Sequence, residues 1–185
     1  MERARHLATA VPGLGGGRRR ARGARHRYHP RQSPPLSSRG KKGEAAQAIG
    51  RSRGGRTSKI HCVADTYGRP VAFTLTPGNI ADITIAQTLL GTLEPSRRLL
   101  AEKAYDADSL RTWLKQRGTT PVVPSTAARK RPYPLDRNAY KRRNLIERLF
   151  CRLKDWRRIA TRYDRLAQNY LSALALVATV CFWVS

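Results

Sequence analysis

Alternating apolar and polar positions between residues 59 and 76 predict two β-strands joined by a tight turn. The segments KIHCVAD (59–65) and PVAFTLT (70–76) are rich in β-branched and aromatic residues, and TYGR lies between them. Segments of this composition, separated by a short polar connection, are typical of a β-hairpin. The tripeptide Pro77-Gly78-Asn79 predicts the turn that ends the second strand.

After this hairpin, the apolar spacing alternates between helical and strand-like segments. Residues 82–93 place apolar side chains three or four positions apart, which predicts a helix. Further strands are predicted at 98–101 and 120–123, further helices at 107–117, 140–158 and 164–184, and a loop at the basic, proline-containing segment 125–138. This order predicts an α/β domain with a mixed sheet flanked by helices.

The first 43 residues show no such periodicity. They contain ten Arg, two Lys and a single acid, Glu2, among many Gly, Pro and Ser residues. A segment of this composition buries too little apolar surface to fold. We therefore predict a disordered basic arm at 1–43, followed by one folded domain at 44–185.

The charge balance narrows the class of partner. Lys and Arg number 37 against 12 Asp and Glu, which gives a net charge of +25. Such an excess points to a polyanionic partner, and duplex nucleic acid is favoured over an anionic membrane surface or a merely solvated basic surface. The apolar run at 171–184 is too short for a membrane span, so no membrane partner is expected.

The spacing of the three cysteines is typical of a protein from a reducing compartment. Cys62, Cys151 and Cys181 lie far apart and form no CxxC pair. This spacing argues against a zinc site or a disulfide framework. We expect all three to be small buried apolar side chains.

The stretch LLAEKAYDAD at 99–108 concentrates acids in a basic chain. Glu102 directly follows the short apolar strand at 98–101. Asp106 is predicted to cap the next helix, and Asp108 to lie in its first turn. Asp65, between the two hairpin strands, is assigned a role in the turn.

A second acid, Glu147, lies on one face of the predicted helix at 140–158. Tyr140, Arg143, Glu147 and Lys154 lie at offsets 0, 3, 7 and 14, within one narrow sector of a helix that turns by about 100° per residue. Arg143 and Glu147 can simply form an i, i+4 ion pair on a solvated face. Alternatively, Glu147 holds a divalent cation while Arg143 and Lys154 bind phosphates beside it. A different sector carries the apolar residues expected to pack on the sheet: Leu145, Ile146, Leu149, Leu153 and Trp156.

Residues 41–185 resemble the bacterial insertion-sequence transposases, which carry a DDE catalytic triad on an RNase H-like fold. The resemblance rests on the spacing Tyr140-x2-Arg143-x3-Glu147-x6-Lys154 and on four flanking blocks: GRSRGGRTSKIH (50–61), LTPGNIAD (75–82), AEKAYDAD (101–108) and RRIATRYDRLAQNYLSAL (157–174). It implies that Glu102 and Glu147 are the second and third acids of the triad, with catalytic and metal-binding roles. It implies that Tyr140, Arg143 and Lys154 bind DNA.

The same resemblance implies a reaction and its partners. Two Mg²⁺ (or Mn²⁺) ions held by three carboxylates activate water to cut DNA at the ends of the element, and the freed 3′-hydroxyl then attacks target DNA. The expected partner is double-stranded DNA, both element ends and target, and the resemblance allows a homo-oligomer on DNA. The expected location is the cytoplasm, at the nucleoid.

The sequence departs from the family pattern in three places. Glu102 stands where the family has Asp, and Ala104 stands where it has Gly. The family's first acid lies on a first strand upstream of a segment such as Lys41-Lys42-Gly43, but residues 20–40 contain no acid and no strand pattern. We therefore predict a truncated or frameshifted copy that lacks the first strand and has weak or no activity.

Two rival interpretations remain at this stage. The chain can be a non-catalytic DNA-binding remnant that competes with or regulates an intact transposase. More distantly, it can be a basic RNA-binding or ribosome-associated protein.

Overall fold

A computed structural model of the chain describes residues 4–10, 43, 47–52 and 55–184. The strands are β1 (Ala4–Ala10), β2 (Gly50–Ser52), β3 (Gly55–Ala64), β4 (Pro70–Pro77), β5 (Arg98–Ala101) and β6 (Thr120–Val122). The α-helices are α1 (Asp82–Gly91), α2 (Asp108–Gln116), α3 (Arg137–Lys141), α4 (Asn144–Lys154), α5 (Arg157–Ala160) and α6 (Ala167–Phe182), and a short 3-10 helix spans Lys103–Tyr105.

The described strands form one mixed sheet. Its order is β4-β3-β1-β5-β6, with β2 paired to the first residues of β3. The pairs β3–β4 and β1–β3 are antiparallel, whereas β1–β5 and β5–β6 are parallel. The predicted α/β fold with a mixed sheet is confirmed, and it is consistent with an RNase H-like domain.

The central strand β1 corrects two expectations drawn from the sequence. Residues 4–10 are not a disordered arm, and the sheet does not lack a strand before the hairpin. Leu7 is fully buried and pairs in register with Val63 of β3 and Ala101 of β5. ARHLATA has a single large apolar residue, so its strand character depends on two distant partners rather than on local propensity. Residues 11–42 of the expected arm lie outside the described residues.

Helices cover both faces of the sheet and build two apolar clusters. Helices α1 and α2 enclose one cluster, whose buried members include Leu7, Val63, Leu99, Ala101, Ala86, Leu89, Leu90, Leu110, Leu114 and Tyr105. Helices α4, α5 and α6 enclose the other, whose members include Ile60, Cys62, Ala64, Ile146, Leu149, Leu153, Ile159, Tyr170, Leu174 and Val177. Side chains on opposite faces alternate along β3, as strand geometry requires.

The turn between β3 and β4 confirms the role assigned to Asp65. Its Oδ1 accepts hydrogen bonds from the backbone N–H of Tyr67 and of Arg69, both at 2.9 Å. Its Oδ2 accepts a further bond from Nε of Arg69 at 2.8 Å. Gly68 has a φ of +79°, which a glycine adopts without strain.

The helix predicted at 140–158 is divided into α3, α4 and α5. At the first division, the backbone N–H of Arg143 bonds to the carbonyl of Tyr140 at 2.9 Å, three residues back. Such tighter bonds replace the regular i to i−4 ladder at helix junctions. Ile146, Leu149 and Leu153 are at most 1% exposed, as predicted, whereas Trp156 is 45% exposed. The prediction for Trp156 is wrong because α4 ends at Lys154, and Trp156 begins a new turn.

The cysteine expectation holds in part. Cys62 is buried, Cys181 is half-buried and Cys151 is exposed on α4. Cys151 was therefore wrongly expected to be buried. No helix in the described part of the chain has the length and hydropathy needed to cross a membrane.

A chain that begins at Lys41 lacks β1, and we expect it to lose cooperative thermal unfolding. Without β1, which lies between β3 and β5, each of these two strands has an unpaired edge. Circular dichroism melts of the full chain and of residues 41–185 check this. As a milder variant, Leu7→Ala in the full chain should lower the free energy of unfolding by about 2–5 kcal/mol. Equal melting temperatures for the full and shortened chains would contradict the central position of β1.

The free energy of unfolding should fall as the pH drops from about 6.5 to about 4. Burial lowers the pKa of both His6 and His61 from 6.5 to about 4. For His6, Asp65 opposes this shift and Arg142 adds to it; for His61, Asp82 opposes it and Lys59 adds to it. Between pH 6.5 and pH 4, His6 and His61 are protonated in the unfolded chain but remain neutral in the folded chain. Their contribution to the free energy of unfolding is therefore complete above pH 6.5 and is lost as the pH falls toward 4.

The measurement is urea unfolding at several pH values. Neither ring nitrogen of His6 has a hydrogen-bond partner within the described part of the chain. His6→Leu should therefore raise the free energy of unfolding and make its pH dependence shallower. If His6→Leu leaves the pH dependence of the free energy of unfolding unchanged, His6 does not contribute to that dependence.

Candidate functional site

Glu102 lies at the carboxyl end of β5. Leu99, Leu100 and Ala101 anchor this strand because they are almost completely buried, and Glu102 follows them at the surface with 41% of its side chain exposed. In the parallel pair β1–β5, Leu7 lies opposite Ala101. The residue after each, Ala8 and Glu102, therefore lies at the same edge of the sheet.

One guanidinium joins Glu102 to Glu147. Nη1 of Arg143 donates to Oε1 of Glu102 at 2.9 Å, and Nη2 donates to Oε1 of Glu147 at 2.5 Å. Arg143 directly precedes α4, and Glu147 lies in the first turn of that helix. Glu147 thus forms the i, i+4 ion pair of the first interpretation, and the same guanidinium also contacts the acid that follows β5.

The other two residues of the sequence pattern differ in their placement. The ring of Tyr140 lies 5.6 Å from Cζ of Arg143, within the range of a cation–π contact. Lys154 is the last residue of α4. It lies seven positions after Glu147, which is about 10 Å along the helix axis. No hydrogen bond or ion pair in the described chain links Lys154 to the rest of this group.

The environment keeps Arg143 charged. Burial by itself lowers the pKa of its guanidinium, but the hydrogen bond to Glu147 and the charges of Tyr140, Glu147 and Glu102 outweigh burial and raise it. The side chain of Arg143 is 19% exposed. We refer below to Arg143, Glu102 and Glu147 as the ionic triad.

The donors present do not fit the two-ion site that the resemblance implies. Carboxylate oxygens are suitable ligands for Mg²⁺. However, the described residues contain no group of three or more His, Cys, Asp or Glu that could hold a metal ion. Strand β1, the neighbour of β5 in the sheet, reads ARHLATA and contains no acid. Glu2 and Glu44 lie outside the described residues.

His6 is a polar residue in this region that the sequence analysis did not single out. It is fully buried in β1 and pairs in register with Ala64, a member of the cluster beneath α4. With its pKa near 4, its imidazole is neutral at physiological pH. No motif identifies it, because its burial follows from a strand that the periodicity did not predict.

Asp106 has a different role from the predicted helix cap. The residue at the cap position of α2 is Ala107, and no side chain caps this helix. The buried carboxylate of Asp106 accepts hydrogen bonds from Nε of Arg111 at 2.9 Å, from Nε of Arg129 at 3.0 Å and from the backbone N–H of Thr126 at 2.8 Å. Burial raises the pKa of Asp106, but these bonds together hold it below its usual value.

This acid fixes the basic loop after β6. Arg129 also donates to Asp108 at 2.7 Å, and Asp108 lies in the first turn of α2, as predicted. The ring of Tyr133 stacks on Arg111 with 4.3 Å between the ring centroid and Cζ. Of the acids in LLAEKAYDAD, Glu102 therefore belongs to the ionic triad, and Asp106 and Asp108 anchor a loop.

Comparison with known proteins gives consistent matches. The profile of the family described as "Transposase DDE domain" matches residues 20–182, which include the whole ionic triad. A putative transposase for insertion sequence element IS6501 from Brucella ovis is 33% identical over 129 residues, which cover 69% of this chain and 98% of that protein. A putative transposase for insertion sequence element IS402 from Burkholderia cepacia is 31% identical over 137 residues, which cover 68% of this chain and 63% of that protein.

Asp106→Asn should lower the free energy of unfolding by about 3 kcal/mol, because it leaves the buried guanidinium of Arg111 without its charge partner. Asp108→Asn is the matched control: its side chain is 65% exposed. Exposed pairs contribute about 1 kcal/mol or less, so this control should change little. Urea unfolding at pH 7 measures both variants. Similar losses in the two would show that burial of Asp106 does not govern its contribution.

Proposed function

This chain belongs to the family of transposase DDE domains, and from that premise we propose that it acts in DNA transposition through the surface around the ionic triad. The observation that carries the proposal is the convergence of Glu102 and Glu147 on Arg143. These acids are 45 residues apart and lie on different elements, β5 and α4. By the resemblance in sequence, we assign them as the second and third acids of the family's triad.

We propose double-stranded DNA, both insertion-sequence ends and target, as the partner of this surface. Arg143 and Lys154 would contact phosphates, and Tyr140 would support the guanidinium of Arg143. The charge of +25 supports this partner because Lys and Arg contacts to phosphates dominate the affinity of proteins for DNA. A homo-oligomer on DNA and a location at the nucleoid belong to the same proposal.

We further propose that this chain alone cleaves and joins DNA weakly or not at all. Divalent ions at a two-metal site stabilise the attacking and leaving oxygens of an in-line displacement. Glu102 and Glu147 fall short of the donor set for two such ions, and Glu102 is one methylene longer than the family's Asp. A shift of about 1 Å at a reacting centre can cost about a hundredfold in rate.

A second candidate function is a non-catalytic DNA-binding protein that competes with or regulates an intact transposase. The observation that favours it is the sequence of β1, which supplies no acid beside Glu102. Such a protein would keep the DNA surface and occupy element ends without cutting them.

The test is to incubate the purified chain with labelled duplex DNA taken from the flanks of its own coding sequence. We expect binding whose affinity falls steeply with salt, with a log–log slope of several units. With Mg²⁺ or Mn²⁺ added, we expect at most trace nicking and no joined product. Glu147→Ala is the catalytic control.

Each outcome separates the candidates. An affinity that does not change with salt concentration would contradict the proposed DNA-binding surface. A preference for structured RNA over duplex DNA in a competition experiment would also contradict it. Abundant joined product that disappears in Glu147→Ala would contradict the inactive state and show that another acid completes the site. Tight DNA binding without any nicking would favour the regulatory candidate.

A further inference from the structure

We propose that Arg143 is a phosphate-responsive latch: it holds Glu102 and Glu147 together, and a DNA phosphate that binds Arg143 releases at least one of them. This inference rests on the proposed DNA-binding function and adds how that surface is controlled. It makes Arg143 a positioning residue for the two acids as well as a DNA contact.

The guanidinium donors of Arg143 are partly in use. Both terminal nitrogens donate to carboxylates, at 2.9 Å to Glu102 and 2.5 Å to Glu147, and a guanidinium carries five N–H donors in all. Arginine binds a phosphate most strongly through two parallel N–H···O bonds. A phosphate that binds Arg143 in this way competes with the two carboxylates for the same guanidinium.

The local charge around Arg143 also favours such an exchange. One guanidinium faces two carboxylates, so the ionic triad carries a net charge of −1 inside a chain of +25. An isolated phosphate is repelled by this group as long as both acids stay in place. Exchange of a carboxylate for a phosphate removes that repulsion, since the displaced acid can turn to solvent.

The two acids are more exposed than the cation between them. The side chain of Arg143 is 19% exposed, whereas Glu102 is 41% and Glu147 is 56% exposed. An exposed carboxylate that loses its bond to Arg143 can therefore be hydrated in its place.

The latch joins separate parts of the fold. Glu102 follows β5, Glu147 lies in α4, and Arg143 lies at the junction of α3 and α4. Tyr140, in α3, holds the guanidinium in place through its ring. Only arginine suits this position, because its planar fork bonds two carboxylates in fixed directions and lysine offers a single point charge.

The test is a double-mutant cycle on the affinity of the full chain for a labelled 20-base-pair duplex, measured by fluorescence anisotropy. Glu102→Gln should raise the affinity of the otherwise unchanged chain about fivefold, because it frees Arg143 for phosphate. In the Arg143→Gln background the same substitution should change the affinity less than about twofold. In the Arg143→Lys background, the gain in DNA affinity caused by Glu102→Gln should also be smaller than in the unchanged chain.

A matched control separates the latch from simple charge repulsion. Glu94→Gln makes the same charge change in the exposed loop between α1 and β5, at the other end of β5 from Glu102. It should alter the affinity less than about twofold in both backgrounds. If Glu102→Gln fails to fold by circular dichroism, Glu147→Gln takes its place in the cycle.

The outcomes are distinct. An equal gain from Glu102→Gln with and without Arg143 would mean that the acid merely repels DNA, and the latch would be overturned while the DNA-binding function stands. No gain in the unchanged background would also overturn the latch. Failure of every variant to bind duplex DNA would overturn the proposed function itself, and the latch with it.

Discussion

The pairing of β1 with both β3 and β5 is the constraint on which the rest of the fold depends. It is antiparallel on one side and parallel on the other, so these seven residues join the hairpin half of the sheet to the parallel half. Leu7 enters the core under α1 and α2, while His6 lies on the face covered by α4. The same pairing sets Leu7 opposite Ala101, the last residue of β5, so Glu102 emerges beside the second half of β1.

Several acids in the described part of the chain form ion pairs within the fold. Asp82 bonds to Lys59 at 2.8 Å, Asp164 bonds to Arg158 at 2.8 Å, and Asp106 bonds to two arginines at the loop after β6. In each of these groups the cations equal or outnumber the acids. The ionic triad is different because its two acids are balanced by a single cation, so the group has a net charge of −1.

Folding of this domain and the chemistry of a metal site depend on different residues. The sheet depends on the backbone pairing of β1 and on buried side chains such as Leu7, whereas metal binding would depend on carboxylates at its surface. Strand β1 contains no acid and is nevertheless the central strand of the sheet. The fold therefore does not require an acid on this strand.

Local periodicity was enough to predict the hairpin, most helices and the mixed sheet, because these depend on residues close together in sequence. It also located Glu102 at a strand end and Glu147 on a helix face, and the family resemblance, carried by short motifs, implied their catalytic roles. It could not predict β1, since ARHLATA becomes a strand only between β3 and β5. Nor could it show that Asp106 anchors a loop, that Trp156 faces solvent, or that one arginine joins two acids 45 residues apart. Those features depend on contacts between distant segments, and only the tertiary structure decides which distant segments meet.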